Sequence, residues 1–353
     1  MKLPRRRFLH LAVGAAALPA LSDLAWPQSY PVRPITIVDT FPPGGSTGIL
    51  ARIIADKFSE TLGQQVIVDQ RAGAGGTVAA KQIARSTPDG YTIMLGYTGT
   101  LGIAPSLYPS AGYDPRKDFA PVGRIGVAPN SLVVHPSFPV HSVGELIAYA
   151  KQNPGKVNFG SAGIGTVGHV AGELLCNMAS IKLVHVPYRG TNPNLTDLLG
   201  GHIPMSFAPI PATYENMKNG LLRMLGVTSL NRSSLLPDVP TIAEQGLPGF
   251  EAVLRYGLVV PANTSRPIID RLNKELRAAL ATDDVRSRFA TIGAEPLAST
   301  TPTRVANTMT INPIAAALLA TQLVDEAITL NLVVGLIAVF LGIWVATAEP
   351  ARP

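Results

Sequence analysis

From residue 34 onward, short β-rich apolar runs alternate with amphipathic helical stretches, and this alternation restricts the chain to few architectures. Strand-like runs fall at 35–38, 66–68, 91–95, 132–134, 157–159, 183–186, 204–207, 224–227 and 257–260. Runs this short and this continuously apolar fit strands covered on both faces. After the first, Ile49, Leu50, Ile53, Ile54, Phe58 and Leu62 mark one face of a helix, and Gly63 supplies a natural stop. Ser142-Val143-Gly144-Glu145 has the form of a capping box opening a further helix through Ala150. The alternation predicts an α/β chain whose parallel sheets are flanked by helices on both sides.

Size and punctuation divide that pattern. At 353 residues the chain exceeds what one hydrophobic core usually serves. Proline and glycine interrupt apolar runs at Gly126–Asn130 and again in the GLPGF segment, Gly246–Phe250. Two crossings imply a discontinuous first lobe, 29–127 with 250–304, and an inserted second lobe, 128–249. The cleft between them would lie at the carboxyl ends of strands, where α/β sheets bind ligands.

Charge and cysteine usage remove whole classes of function. The formal charge is +6, but Lys2, Arg5, Arg6 and Arg7 against Asp23 account for +3 of it, leaving +3 (6 − 3) for the remainder. So sparse a balance argues against nucleic acid as a partner. Cys176 is the only cysteine, so there is neither an internal disulfide nor a cysteine-cluster metal site. The six histidines show no paired ligand spacing, and neither metal nor cofactor is expected. Residues 1–28 carry Arg5-Arg6-Arg7-Phe8-Leu9 ahead of a short apolar segment, a pattern that resembles a twin-arginine export signal, with an N-terminal anchor as the alternative.

The informative chemistry lies in glycine-rich turns at strand ends. In Phe41-Pro42-Pro43-Gly44-Gly45-Ser46-Thr47, the prolines stiffen the strand exit and the glycines bare the backbone. Ser46 or Thr47 is expected to cap the following helix, whose first N–H groups have no internal partner. Such a corner is either an anion cradle or simply a tight strand-to-helix turn. Ser161-Ala162-Gly163-Ile164-Gly165-Thr166 repeats the theme ahead of a helix beginning at Val167 and holding His169. Thr98 and Thr100 follow a third strand. Tyr188 and Arg189 follow a fourth, where Arg189 is either a carboxylate partner or a solvated surface cation. Gly163-x-Gly165-x-x-Gly168 matches a dinucleotide fingerprint, but the next strand end, Val186-Pro187-Tyr188, lacks the required acid. Ser161, His169 and Asp197 compose a conceivable triad without a nucleophile elbow. A binding protein without turnover is therefore expected; the alternative is a hydrolase or nucleotide-dependent enzyme in the same cleft.

Several stretches together resemble one family. FPPGGSTGILARIIADKFSETLGQQVIV, RAGAGGTVAA, PDGYTIMLGYTGT, YDPRKDFAPV, NFGSAGIGTVGHVAGELL and LVHVPYRGTNPNLTDLLGGHIPMSF follow, in order, the pattern of the periplasmic receptors of tripartite tricarboxylate transporters, the Bug receptors. VTSLNRSSLLPDVPTIAEQGLPGFEA and IGAEPLAST extend it to Thr303. The resemblance implies a two-lobed, Venus-flytrap periplasmic-binding-protein fold of type II. Such a receptor holds a small carboxylate and delivers it to membrane permease subunits. It also implies ligand contacts from Phe41, Gly44, Gly45, Ser46, Thr47, Thr98, Thr100, Ser161, Gly163, Gly165, Thr166 and His169, with Tyr188 and Arg189 nearby. One departure stands out: the family usually carries aspartate where this chain has Gly48, which removes a group suited to an amino-acid ligand.

Beyond Thr303 the pattern changes. Residues 305–324 and 327–348 are uncharged stretches separated by Asp325-Glu326, each about 30 Å long as helix. This tail, 305–353, resembles the last helical hairpin of drug/metabolite (EamA-like) transporters. The predicted span at 327–348 would tether the receptor to the membrane; the rival reading is an accidental fusion that leaves a degenerate fused receptor.

Overall fold

The computed structural model describes residues 30–43, 45–108 and 111–297. The expected signal segment and the apolar tail, with its span at 327–348, lie outside the described residues, as does Gly44. No helix among the described residues is long and apolar enough to cross a membrane.

In chain order, β1 (Ile35–Asp39) leads to α1 (Ser46–Leu62), β2 (Val66–Gln70), α2 (Thr77–Ala84), β3 (Thr92–Tyr97) and the short α3 (Ala104–Leu107). The long strand β4 (Phe119–Val134) precedes α4 (Val143–Gln152), β5 (Val157–Ser161), α5 (Val167–Ala179), β6 (Leu183–Pro187) and α6 (Thr191–Leu199). Then come β7 (Met205–Pro209), α7 (Ile210–Lys218), β8 (Arg223–Val227), β9 (Val253–Pro261), α8 (Arg266–Ala281), α9 (Asp283–Ala290) and β10 (Glu295–Pro296).

The helix signals read from sequence have local causes. α1 buries Leu50, Ile53, Ile54, Phe58 and Leu62 on one stripe and stops at Gly63, whose φ of 67° is the left-handed conformation glycine takes without penalty. Burying each such side chain is worth about 1.5–3 kcal/mol, so the stripe fixes the helix against the sheet. α4 is capped by Ser142 Oγ, which accepts the Glu145 N–H at 3.1 Å; Glu145 in turn accepts the His141 N–H at 2.7 Å.

The strands run in the order β2-β1-β3-β9-β4-β7-β5-β6, with β10 and β8 also pairing with β4. Strand β4 belongs to two sheets. Its residues as far as Pro129 pair with β9, and Asn130 to Val134 pair with β7. The chain thus leaves the first sheet along β4 and returns along β9, and Ala252 N–H donates to Thr228 O beside the crossing.

The expectation of purely parallel sheets is corrected here. β1 pairs in parallel with β2 and β3, and β5 with β6 and β7. The β3–β9, β4–β9, β4–β7 and β4–β8 pairs are antiparallel. The outgoing and returning strands necessarily run in opposite directions. Because both are buried on two faces, their sequences carry no polar alternation to betray it.

One continuous core runs under both sheets, and its largest sealed side chains include Phe58, Phe159, Phe207, Phe250 and Tyr256. The parallel centres β1 and β5 release their glycine turns into the space between the sheets, which is what positions the site.

Candidate functional site

Four helices begin on one small cavity between the lobes. Its lining includes Gly45, Ser46 and Thr47 at the start of α1, and Thr166, Val167 and Gly168 at the start of α5. Thr191, the first residue of α6, and Pro209, which precedes α7, complete the set. Phe41, Tyr97, Asn130, Ala162, Phe207 and Leu254 form the remaining wall. No described lining residue carries a charge.

The backbone at these corners is left open. The expectation that Ser46 or Thr47 caps α1 is corrected: Gly45 is the N-cap and no side chain caps that end. Ser46 instead shares a hydrogen bond of 2.5 Å with Tyr256 across the first lobe. Thr47 Oγ1 is buried without a partner; the hydroxyl leans toward the Asp39 carboxylate without reaching hydrogen-bond geometry. α6 likewise has no side-chain cap behind Gly190. Only α5 is capped from within, by Thr166 Oγ1, which accepts the His169 N–H at 3.4 Å and donates to Gly163 O at 2.7 Å. Free N–H groups at a helix start, with the macrodipole behind them, favour a negative group.

The cavity is about 40 Å³, enough for a head group and no more. Sharing Phe41 and Ala162 with it is a wider cleft of about 580 Å³, lined by the 72–76 glycine loop, Tyr108, Gly163, Tyr188 and Arg189 among others. The lobes meet over this cleft. Tyr108 OH donates to Ile164 O at 3.1 Å, and Asn192 Nδ2 donates to Pro43 O at 3.4 Å. At Gly190, φ is 118° and an added Cβ would lie 2.8 Å from Pro42 Cγ, so this approach requires glycine.

Of the residues expected from sequence, Phe41, Gly45, Ser46, Thr47 and Thr166 line the cavity, while Gly163, Tyr188 and Arg189 line the wider cleft with Phe41. Thr98, Thr100, Ser161, Gly165 and His169 line neither and are occupied by the chain itself. Thr98 Oγ1 accepts the Arg255 N–H at 2.9 Å. Thr100 is fully buried against Thr40. Ser161 Oγ lies 2.7 Å from His185 Nε2. Gly165 N–H donates to His169 Nδ1 at 3.3 Å, and the His169 ring stacks on His185 with centroids 4.2 Å apart. Burial, then the neighbouring His169, lowers the His185 pKa to about 3; burial also lowers that of His169. Both rings are therefore neutral supports. The conceivable triad does not assemble, because Ser161 pairs with His185 and Asp197 accepts the Tyr188 hydroxyl at 2.7 Å.

Sequence reasoning missed Tyr97, Asn130, Thr191, Phe207, Pro209 and Leu254. A signal existed for two of them: Asn130 ends the interrupted stretch at the lobe crossing, and Thr191 directly follows the glycine of PYRG.

Two lobes joined by crossing strands, closing on a pocket of helix N-termini, define a solute-binding receptor. Residues 50–308 match the model of the tripartite tricarboxylate transporter family receptor, and the chain belongs to that family. It is 37% identical over 293 residues to protein BugT of Bordetella pertussis, covering 83% of this chain and 88% of that one. Among solved structures it is similar to R. palustris Rpa4515 with adipate, at 35% identity and a TM-score of 0.79, over 83% of this chain and 97% of that chain. It is also similar to MatC from Rhodopseudomonas palustris with bound malate, at 32% identity and a TM-score of 0.76, over 82% and 99%.

Proposed function

We propose that this receptor captures a small carboxylate in the periplasm, holds it unchanged, and delivers it to the permease subunits of a tripartite tricarboxylate transporter. The observation that carries this reading is the convergence of four helix starts, one from the first lobe and three from the second, on an uncharged cavity. A carboxylate supplies acceptors only; the starts of α1, α5 and α6 supply backbone N–H donors, while Pro209 and Pro211 at the start of α7 bring the helix dipole without an N–H. Lobe contact over the cleft lowers the local dielectric, which strengthens each amide–carboxylate bond. The cavity takes the carboxylate head, and the wider cleft, where Arg189 stands, takes the remainder of the molecule. Bound adipate and malate in the two similar receptors support a small organic acid as the ligand class. We further assign the apolar 327–348 stretch a tethering role, which retention of the protein in membranes after a carbonate wash would support.

Thermal denaturation with a panel of mono-, di- and tricarboxylates tests the main proposal. An acid at about 100 times its Kd should add about 2.7 kcal/mol of stability, and mass spectrometry should recover it chemically unaltered. Absence of stabilisation by every acid at millimolar concentration would refute carboxylate capture, and conversion of the acid would refute the non-enzymatic role.

A further inference from the structure

Asn130 stands where β4 passes from one sheet to the other. Its backbone is committed: the N–H donates to Thr228 Oγ1 at 2.8 Å, and the carbonyl accepts from the Thr228 N–H at 2.9 Å and from the Thr228 hydroxyl at 3.2 Å. Its side chain is not committed in the same way. Asn130 is 2% exposed and lines the small cavity, and its Oδ1 has no hydrogen-bond partner.

Buried polar atoms in folded proteins have partners, so an orphan on a ligand cavity points to a partner that arrives with the ligand. The cavity presents two kinds of group. The helix-start N–H groups are donors, while the Thr47 hydroxyl is turned toward the Asp39 carboxylate. Asn130 Oδ1 is an acceptor. A bare carboxylate satisfies the donors and leaves Oδ1 without a hydrogen. The complement of the whole cavity is a carboxylate with an O–H or N–H beside it. An ammonium group would sit under the positive ends of several helices with no described acid in the lining to offset it. A hydroxyl carries no such penalty.

We propose that Asn130 is a specificity-determining residue that makes this receptor select 2-hydroxycarboxylates over their unsubstituted counterparts, by accepting the ligand's hydroxyl hydrogen at Oδ1. The proposal rests on the carboxylate reading of the cavity and adds the neighbouring donor to it.

Titration calorimetry with matched pairs tests it: malate against succinate, 2-hydroxyadipate against adipate, 2-hydroxybutyrate against butyrate. In the wild-type protein the hydroxy acid should bind at least tenfold more tightly in any pair that binds. Asn130→Ala removes the acceptor and keeps the backbone bonds to Thr228. It should weaken the hydroxy acid by more than it weakens the unsubstituted acid, bringing the two members of a pair within about threefold. Equal wild-type affinities within every pair would overturn the assignment, with no variant needed. Equal loss of both members in Asn130→Ala would also overturn it, by showing that the amide turns its NH₂ toward the carboxylate instead. If no acid of either kind binds, carboxylate capture itself fails, an outcome distinct from binding without hydroxyl preference.

Discussion

Adding one methyl group at Gly45 separates binding from folding. Gly45 has φ −94° and ψ 167°, ordinary extended backbone open to any residue. An added Cβ would lie 3.7 Å from Thr47 Oγ1 and 4.0 Å from Thr191 Oγ1, normal van der Waals separations. Gly45→Ala should therefore fold without steric strain; the stiffer unfolded chain contributes about 0.4–1 kcal/mol, which the poorer fit of alanine at an N-cap offsets, so stability should change by less than about 1 kcal/mol. Those two neighbours, however, stand on opposite lobes and both line the cavity of about 40 Å³. The methyl would take the space in which a carboxylate reaches the first N–H groups of α1. Losing one or two charge-assisted hydrogen bonds at about 1.5–3 kcal/mol each amounts to about 3 kcal/mol, or roughly a hundredfold in Kd. Calorimetric titration with the best-binding acid, alongside urea unfolding, measures both quantities. Gly144→Ala is the control: it lies in the first turn of α4, where an added Cβ meets only Ser142 Oγ at 3.9 Å, and it should leave Kd unchanged. A Gly45→Ala protein that binds within threefold of wild type would refute the claim that this corner holds the ligand.

Two further substitutions probe closure and support. Tyr108→Phe removes the hydroxyl that bridges to Ile164 O, a neutral bond worth about 0.5–1.5 kcal/mol. Ligand dissociation in stopped flow should quicken about two- to tenfold with little change in unfolding midpoint, and an unchanged off-rate would show that this contact does not hold the cleft shut. His185 has a folded pKa of about 3 against about 6.5 unfolded, so below pH 6.5 the unfolded chain binds a proton that the native state refuses. Stability should fall as the pH drops from about 6.5 toward 3, and His185→Gln should shallow the decline in urea midpoint between pH 7 and pH 5. An identical decline in both proteins would show that another group causes it.

The strands were legible because nearly every one is a short, continuous apolar run, and the α1 stripe was legible because its spacing is helical. Their directions were not legible. β4 contains Pro121, Gly123, Gly126 and Pro129, and its register against β9 shifts between Pro121 and Gly123 and again between Arg124 and Gly126. A sixteen-residue strand broken in this way reads as turns and short pieces. Of the site, the corners were legible because glycine, proline and hydroxyl residues cluster there. The supporting residues were not distinguishable from ligand contacts: Ser161 and Thr166 have the chemistry of donors, yet one bonds to His185 and the other to Gly163. Which way a hydroxyl turns depends on partners distant in sequence. For the same reason Phe207 and Leu254, ordinary core residues by composition, gave no hint that they wall a cavity.

The unusual Gly48 acquires a physical account from its neighbours. An added Cβ there would lie 2.8 Å from Gln70 Nε2 and 3.2 Å from Asp39 Oδ2, so a side chain would have to push the Gln70 amide away from Asp39. Asp39 is fully buried, and burial raises its pKa, opposed by the Gln70 amide, the Phe41 N–H, the Thr47 hydroxyl and the Arg52 charge. Its Oδ1 accepts the Phe41 N–H at 3.1 Å, so the acid braces the start of the proline–glycine turn. An aspartate at position 48, where the family resemblance leads one to expect it, would force a second carboxylate against this one. The chain therefore keeps its acid beneath the turn, and no described residue of the cavity lining is an acid. With no carboxylate there to pair with an ammonium group, discrimination among acids falls to neutral groups, chiefly the Asn130 amide.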